Sequence, residues 1–323
     1  MVPARKGRGT LARMAPGDKT TRRESTRFEG ADRRMSRGGR ALKALVCVAL
    51  ACGGAWPGVM ASSPSLASSP SLRDRLIGFR AGAHRGAMSF PDQNTIELFE
   101  KAKEAGVDIV ETDLRTSRDG EVFLFHDKRM EHLTDCVGPI GDKTASEVSH
   151  CRLRGTTLGL STFRELLAWS QGRVVINAEL KNADSIEPAF RLVREFDAFP
   201  WVYFQVNGNY EKARAADPRV ALLVAPKGPR AQQALDHYLA LEDPNLMIVE
   251  LRPGISTPRN IDAIHAAGKL VSEDSWYFGR ERGWGASHAR CDKVFQHGID
   301  IAISDIPAGC VVQRDEADFL LLK

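Results

Sequence analysis

Val107-Asp108-Ile109-Val110-Glu111-Thr112-Asp113-Leu114, a link of seven residues containing the turn pair Asp119-Gly120, and then Val122-Phe123-Leu124-Phe125-His126 decide the fold. Both runs have the β-branched and aromatic content of strands. A parallel crossover needs roughly a dozen residues or more, so this link permits only an antiparallel hairpin. The second run therefore folds back on the end of the first. Seven further runs of the same character follow or precede it: 77–83, 174–180, 201–206, 220–225, 246–251, 270–273 and 299–304. Helical patterns separate most of them. In one, Ile96, Phe99, Ala102 and Ala105 recur at helical spacing, with Asn94 as the expected N-cap, Glu97 three residues on and Gly106 as the stop. Strand and helix in alternation imply a parallel sheet. With the hairpin strand set aside, eight strands remain, the number that closes a TIM (β/α)8 barrel. An open doubly wound sheet is the competing arrangement. No GxGxxG follows the first strand, which weakens a dinucleotide-binding version of it.

The chain has 323 residues and a formal net charge of +4, but the charge is unevenly placed. Residues 1–43 carry +9, residues 44–61 carry none, and residues 62–323 carry −5. The globular part is mildly acidic, so no nucleic-acid partner is expected. No protein partner is legible. Residues 1–34 read as an N-terminal extension without apolar periodicity. Residues 35–61 read as a signal peptide: Arg37, Arg40 and Lys43 precede an apolar run of 12 residues, 44–55, and Val59-Met60-Ala61 supplies small residues for cleavage. That run is too short to span a bilayer. Residues 62–72 read as a Ser/Pro-rich linker and 73–323 as the barrel. Export to the periplasm or the medium is expected, and with it an oxidising environment. Cys136, Cys151, Cys291 and Cys310 then allow three disulfide pairings, among which Cys136–Cys151 closes a short loop.

Chemistry in such barrels gathers at the C-terminal ends of the strands. His84-Arg85 ends the first run, Glu111 and Asp113 the second, His126-Asp127 the hairpin, and Glu179 and Lys181 the next. Glu111 and Asp113 are two apart on a strand and share a face. Glu179 has the same inward placement. Three converging carboxylates repel one another and call for one hard divalent cation with oxygen ligands, Mg²⁺ or Ca²⁺. Arg85 and Lys181 suit a phosphate group. His84 and His126 can take and give a proton near neutrality. Together these groups describe metal-dependent phosphodiester hydrolysis by acid/base catalysis.

The same residues carry a resemblance. Ala83-His84-Arg85-Gly86, Asn94-Thr95, the run from Gly106 to Asp113, Asp119-Gly120, His126-Asp127, Glu179-Leu180-Lys181 and Ile303-Ser304-Asp305-Ile306-Pro307 together resemble the glycerophosphodiester phosphodiesterases. The likeness runs from Phe79 to Pro307 and is dense between His84 and Lys181. It implies a TIM barrel with a small inserted loop or subdomain after the second strand, acting on a small-molecule glycerophosphodiester to release an alcohol and glycerol 3-phosphate. It also implies Glu111, Asp113 and Glu179 as metal ligands, His84 and His126 as the acid/base pair, and Arg85 and Lys181 as phosphate-binding residues. The chain departs from the family at Gln93, where an acid is usual. It departs again at Glu273-Asp274-Ser275-Trp276, where a Trp-Thr strand is usual, and Trp276 becomes a candidate pocket residue. Asp305 is expected only to cap or position a loop. Sphingomyelinase D-like phospholipases share the barrel, the two histidines and the carboxylate-bound metal, and their loop after the second strand can carry a disulfide. A lipid-directed phospholipase is therefore the alternative. Membrane lipid would be its partner, with Trp276, Tyr277, Phe278 and Trp284 as an apolar rim.

Overall fold

The computed structural model describes residues 70–87, 92–206, 208–275 and 291–321. The expected signal peptide, most of the linker and the aromatic group of Trp276, Tyr277, Phe278 and Trp284 lie outside the described residues. Among the described residues nine strands form one sheet: β1 Arg80–Ala83, β2 Ile109–Thr116, β3 Val122–Leu124, β4 Val175–Leu180, β5 Val202–Gln205, β6 Ala221–Val224, β7 Leu246–Leu251, β8 Leu270–Asp274 and β9 Ile301–Ser304. The order is β1-β9-β8-β7-β6-β5-β4-β2-β3, and β1 also pairs with β2. That pairing closes eight parallel strands into the TIM barrel. β3 pairs with β2 antiparallel, Leu114 opposite Leu124 and Thr116 opposite Val122, so the short link does form a hairpin at the mouth end of β2.

The parallel strands are covered on both faces, and away from the mouth their buried residues are mostly apolar. Every residue of β7 is buried, from Leu246 to Leu251. Side chains alternate between two apolar layers. Ile109, Val175, Leu223, Ile248, Ile301 and Ile303 fill the barrel interior. Val110, Ile176, Phe204, Leu222 and Val249 face outward onto the helices. Leu72 and Leu76 join the interior layer from below. Leu72 opens the helix Leu72–Arg75, capped by Ser71, and is 5% exposed. The first strand starts later than expected, at Arg80, because Gly78 with φ +83° breaks the extended chain after exposed Ile77.

The insertion after the hairpin carries its own small core of Phe123, Phe125, Met130, Leu133, Ile140 and Val148. Of the three possible pairings the structure has Cys136–Cys151, with Cα atoms 5.6 Å apart, and Cys291–Cys310. The first joins residues separated by 15 positions. On the chain-entropy account such a closure stabilises by about 3 kcal/mol. Replacing Cys136 and Cys151 together by serine is therefore expected to lower the thermal midpoint by roughly 6–12 °C in a domain of this size. A melt followed by circular dichroism checks this, and a midpoint unchanged within about 1 °C would contradict the entropy argument.

Candidate active site at the barrel mouth

His84-Arg85-Gly86 leaves β1 as a single tight turn. Arg85 sits in the left-handed region at φ 51°, as does Asn94 at φ 62°. Non-glycine residues are rarely held there unless the surroundings over-determine the conformation. Here they do. The bent backbone lets the Arg85 N–H donate to Glu111 Oε2 at 2.9 Å. The Arg85 guanidinium then reaches Asp113 Oδ2 at 3.1 Å through Nε, and donates to Gln93 Oε1 at 2.7 Å through Nη1. The neutral Gln93 is thus part of the site as the partner of Arg85, a role its departure from the family pattern concealed.

Asn94 is not the helix N-cap. Thr95 caps the helix Ile96–Glu104 by accepting from the Leu98 N–H. Asn94 is spent elsewhere: its Nδ2 donates to Asp113 Oδ2 at 2.9 Å and its Oδ1 accepts from Thr112 Oγ1 at 2.8 Å. An Asn before Thr-Ile-Glu looks like a cap by sequence, but its left-handed backbone turns the side chain toward the strand.

Parallel register sets Asp113 beside Glu179 and Glu111 beside Asn177. Glu111, Asp113 and Glu179 each offer an oxygen, and these oxygens lie within 4.8 Å of one another. Asp113 is 1% exposed and Glu111 is 3% exposed. Lys181 Nζ lies 2.8 Å from both Asp113 Oδ1 and Glu179 Oε2. Three carboxylates are therefore met by two cationic side chains, Arg85 and Lys181. Burial alone would raise the Asp113 carboxyl, but Lys181 and Arg85 override it and hold it down at about 2. Glu111 goes the other way: burial, together with its acidic neighbours Asp113 and Glu179, pushes it well above the ordinary carboxylate range. A full charge on all three acids thus still wants more positive charge than Arg85 and Lys181 provide. Clustered carboxylate oxygens of this kind fit a hard divalent cation.

Each of the two histidines is backed by a carboxylate. His84 Nδ1 lies 2.6 Å from Asp305 Oδ1, and its Nε2 lies 3.9 Å from Glu111 Oε2. His126 Nδ1 lies 2.7 Å from Asp127 Oδ1, whose other oxygen is 3.2 Å from His132 Nδ1. Arg115 fixes the start of this loop by donating twice to the His126 carbonyl, at 3.0 and 2.7 Å. Burial pushes the His126 imidazole down from its usual value, against the pull of Asp113 and Asp127. Asp305 does more than position a loop, since it engages His84 directly.

His84, Arg85, Glu111, His126, Glu179 and Lys181 all line one cavity of about 360 Å³. Asp113 lies against them through Arg85 and Lys181. The remaining sequence candidate, Trp276, lies outside the described residues. The cavity also has lining residues to which the sequence gives no role: Asn177, Gln205, Glu250, Arg252 and Asp274, the last noted only within the segment where the family pattern is lost. Their signal is the same strand-end rule. Gln205 closes β5, Asp274 closes β8, and Glu250 and Arg252 sit two apart at the end of β7. The dense resemblance ends at Lys181, and these later strands carry no motif to draw the eye. Burial raises the Glu250 carboxyl to about 7 despite Arg252, and raises Asp274 well above its usual range with Glu250 adding to the effect.

Comparison with known proteins finds residues 84–217 matching the glycerophosphoryl diester phosphodiesterase family. The Bacillus subtilis protein YqiK, which is uncharacterised, is 32% identical over 108 residues, spanning 31% of this chain and 44% of that protein. The Mycobacterium tuberculosis protein named "Probable glycerophosphodiester phosphodiesterase 2" is 27% identical over 209 residues, spanning 59% of this chain and 77% of that protein. In fold, the chain is similar to a glycerophosphodiester phosphodiesterase of Agrobacterium tumefaciens, with a TM-score of 0.58 at 22% identity, covering 72% of this chain and 99% of that one. It is also similar to a phosphodiesterase of Oleispira antarctica solved with the product sn-glycerol-3-phosphate, with a TM-score of 0.60 at 20% identity, covering 76% of this chain and 99% of that one. At these identities the solved structures speak for the barrel fold alone.

Proposed function

We propose, from the premise that residues 84–217 belong to the glycerophosphoryl diester phosphodiesterase family, that this chain hydrolyses glycerophosphodiesters to an alcohol and glycerol 3-phosphate. The observation that carries the reading is the gathering of two carboxylate-backed imidazoles, an acidic triad and two cations around one cavity.

Asp305 and Asp127 each accept from the Nδ1–H of their histidine, which leaves Nε2 of His84 and of His126 as the atom that exchanges a proton. One imidazole takes the proton from the attacking hydroxyl as its oxygen bonds to phosphorus. The other gives a proton to the leaving oxygen as the old P–O bond breaks. Arg85 and Lys181 hold the phosphoryl oxygens. Their own carboxylate partners orient them before substrate arrives, so little reorganisation accompanies the reaction. Glu111, Asp113 and Glu179 would hold Mg²⁺ or Ca²⁺, which when bound polarises the phosphoryl group.

Ile303 is the one apolar side chain among the described residues of the cavity lining. Such a lining favours soluble diesters over lipid substrates. The chain also reads as an exported protein. Its two disulfides suit an oxidising compartment, and residues 35–61 have the pattern of a signal peptide.

The test is release of glycerol 3-phosphate from glycerophosphocholine, glycerophosphoglycerol and glycerophosphoinositol, with and without EDTA. Turnover should fall at least tenfold in EDTA and return with Mg²⁺ or Ca²⁺. Absence of turnover across the panel would overturn the reaction, undiminished turnover in EDTA would overturn the metal, and preference for lysophospholipid vesicles would overturn the soluble substrate.

A further inference from the structure

The far wall of the cavity does not take part in the proton transfers. In the closed order, β7 stands four strands from β2 and β8 stands four strands from β4. The wall they form is thus diametrically opposite the acidic triad. It presents Glu250, 2% exposed, and Asp274, 7% exposed, with Arg252 between them. Arg252 Nη1 lies 3.0 Å from Asp274 Oδ2, and Nη2 pairs with Glu250 Oε1. The cavity lining also includes two amides on the triad side, Asn177 beside Glu111 and Gln205 beside Glu179. Asn177 is 1% exposed, and its Oδ1 has no hydrogen-bond partner among the described residues.

Closing a barrel does not require this wall. Buried ion groups are at best neutral for stability beside apolar residues of similar volume, and a buried amide oxygen without a donor is a cost. Both are explained if a ligand completes them. The wall's chemistry limits what that ligand is. Two carboxyl groups accept hydrogen bonds there, and a guanidinium donates them. A quaternary ammonium offers no hydrogen-bond donor. An acyl chain finds only Ile303 among the described residues of the lining. A second phosphate would face two carboxylates. Adjacent hydroxyls, each able to donate and accept, satisfy the whole set.

We propose that Glu250, Arg252 and Asp274 form a subsite that reads a vicinal diol, placed so that a phosphate at the triad side and a hydroxylated carbon chain at the far side share the cavity. The proposal rests on the phosphodiesterase reading and deepens it. The diol belongs either to the glycerol moiety or to a polyol on the other side of the phosphate.

The experiment is isothermal titration of the full chain with glycerol 3-phosphate, inositol 1-phosphate, inorganic phosphate and propyl phosphate, which keeps the three-carbon chain but lacks both hydroxyls. Glycerol 3-phosphate or inositol 1-phosphate should bind roughly tenfold to a hundredfold tighter than propyl phosphate. The tighter of the two names the source of the diol. Arg252→Met and Asp274→Asn should each bring that ratio to within about threefold of unity. Glu250→Gln, nearly isosteric, is the second variant where either of those fails to fold. Equal binding of diol and propyl ligands by the wild type would overturn the subsite, as would a ratio that survives in the variants. Failure of the wild type to bind any phosphate, inorganic phosphate included, would instead overturn the phosphodiesterase reading beneath it.

Discussion

Replacing His84 or His126 by alanine is expected to lower kcat for glycerophosphodiester hydrolysis by about 10²–10⁴-fold each, the range for loss of a positioned acid or base. The double variant should fall little further, because the two imidazoles serve one proton-transfer sequence and their effects do not add. The expectation comes from geometry. Each ring is anchored through Nδ1 to a carboxylate, at 2.6 Å for His84 and 2.7 Å for His126, and both line the cavity that the acidic triad shares. Asp305→Asn should cost less than His84→Ala, since it loosens the ring without removing it. Initial rates with a coupled glycerol 3-phosphate assay, alongside thermal melts to show that the variants are folded, provide the measurement. More than about a third of wild-type kcat in either alanine variant would rule that histidine out as acid or base. The pH profile then separates the roles. Burial pushes the His126 imidazole below its ordinary value. If His126 takes the proton, the acid limb of the rate profile lies below about 6.5; if it gives the proton, the alkaline limb does.

Gly86→Val should be the most damaging single change to the fold near the site, at about 2–4 kcal/mol from backbone strain plus overpacking. Gly86 has φ +86°, which side chains with a branched β-carbon rarely tolerate. A Cβ there would stand 3.0 Å from Phe99 Cδ1 and 3.1 Å from Leu98 Cγ, both on the helix Ile96–Glu104 and both buried. That helix cannot retreat freely, because the Asn94 and Thr95 just before it are tied to Asp113 and to the helix cap. The thermal midpoint should drop by roughly 4–16 °C. The folded fraction should also lose activity, because the neighbouring Arg85 N–H is hydrogen-bonded to Glu111 Oε2. Gly86→Ala should show the same effects at smaller size. A valine variant that melts within about 1 °C of the wild type would show that the turn relaxes and that the strain argument is wrong.

The site and the fold were legible to different depths. Glu111 and Asp113 could be placed on one face from their spacing alone, since alternation along a strand is a local property. His84, Arg85, His126, Glu179 and Lys181 could be placed at one end because they terminate their strands. Asn94 looks like a cap by sequence because a left-handed backbone is not visible in a residue name. Asp305 was undervalued because its partner lies 221 residues away. Glu250, Arg252 and Asp274 carry no role by sequence because each alone is an ordinary polar residue at the end of an apolar run.

What the amino-acid order determined without help is periodic and local: eight strands with helical patterns between most of them, one hairpin forced by a link too short for a crossover, and which side chains stand at strand ends. What only the closed barrel decided is which of those ends meet. Pairing β1 with β2 and β9 turns a line of strand termini into a ring. Only a ring sets Asp305 against His84 and the Glu250–Arg252–Asp274 wall opposite the acidic triad. Side-chain spacing along a strand is fixed by covalent geometry, whereas contacts across a barrel depend on register and closure, which the whole chain sets at once.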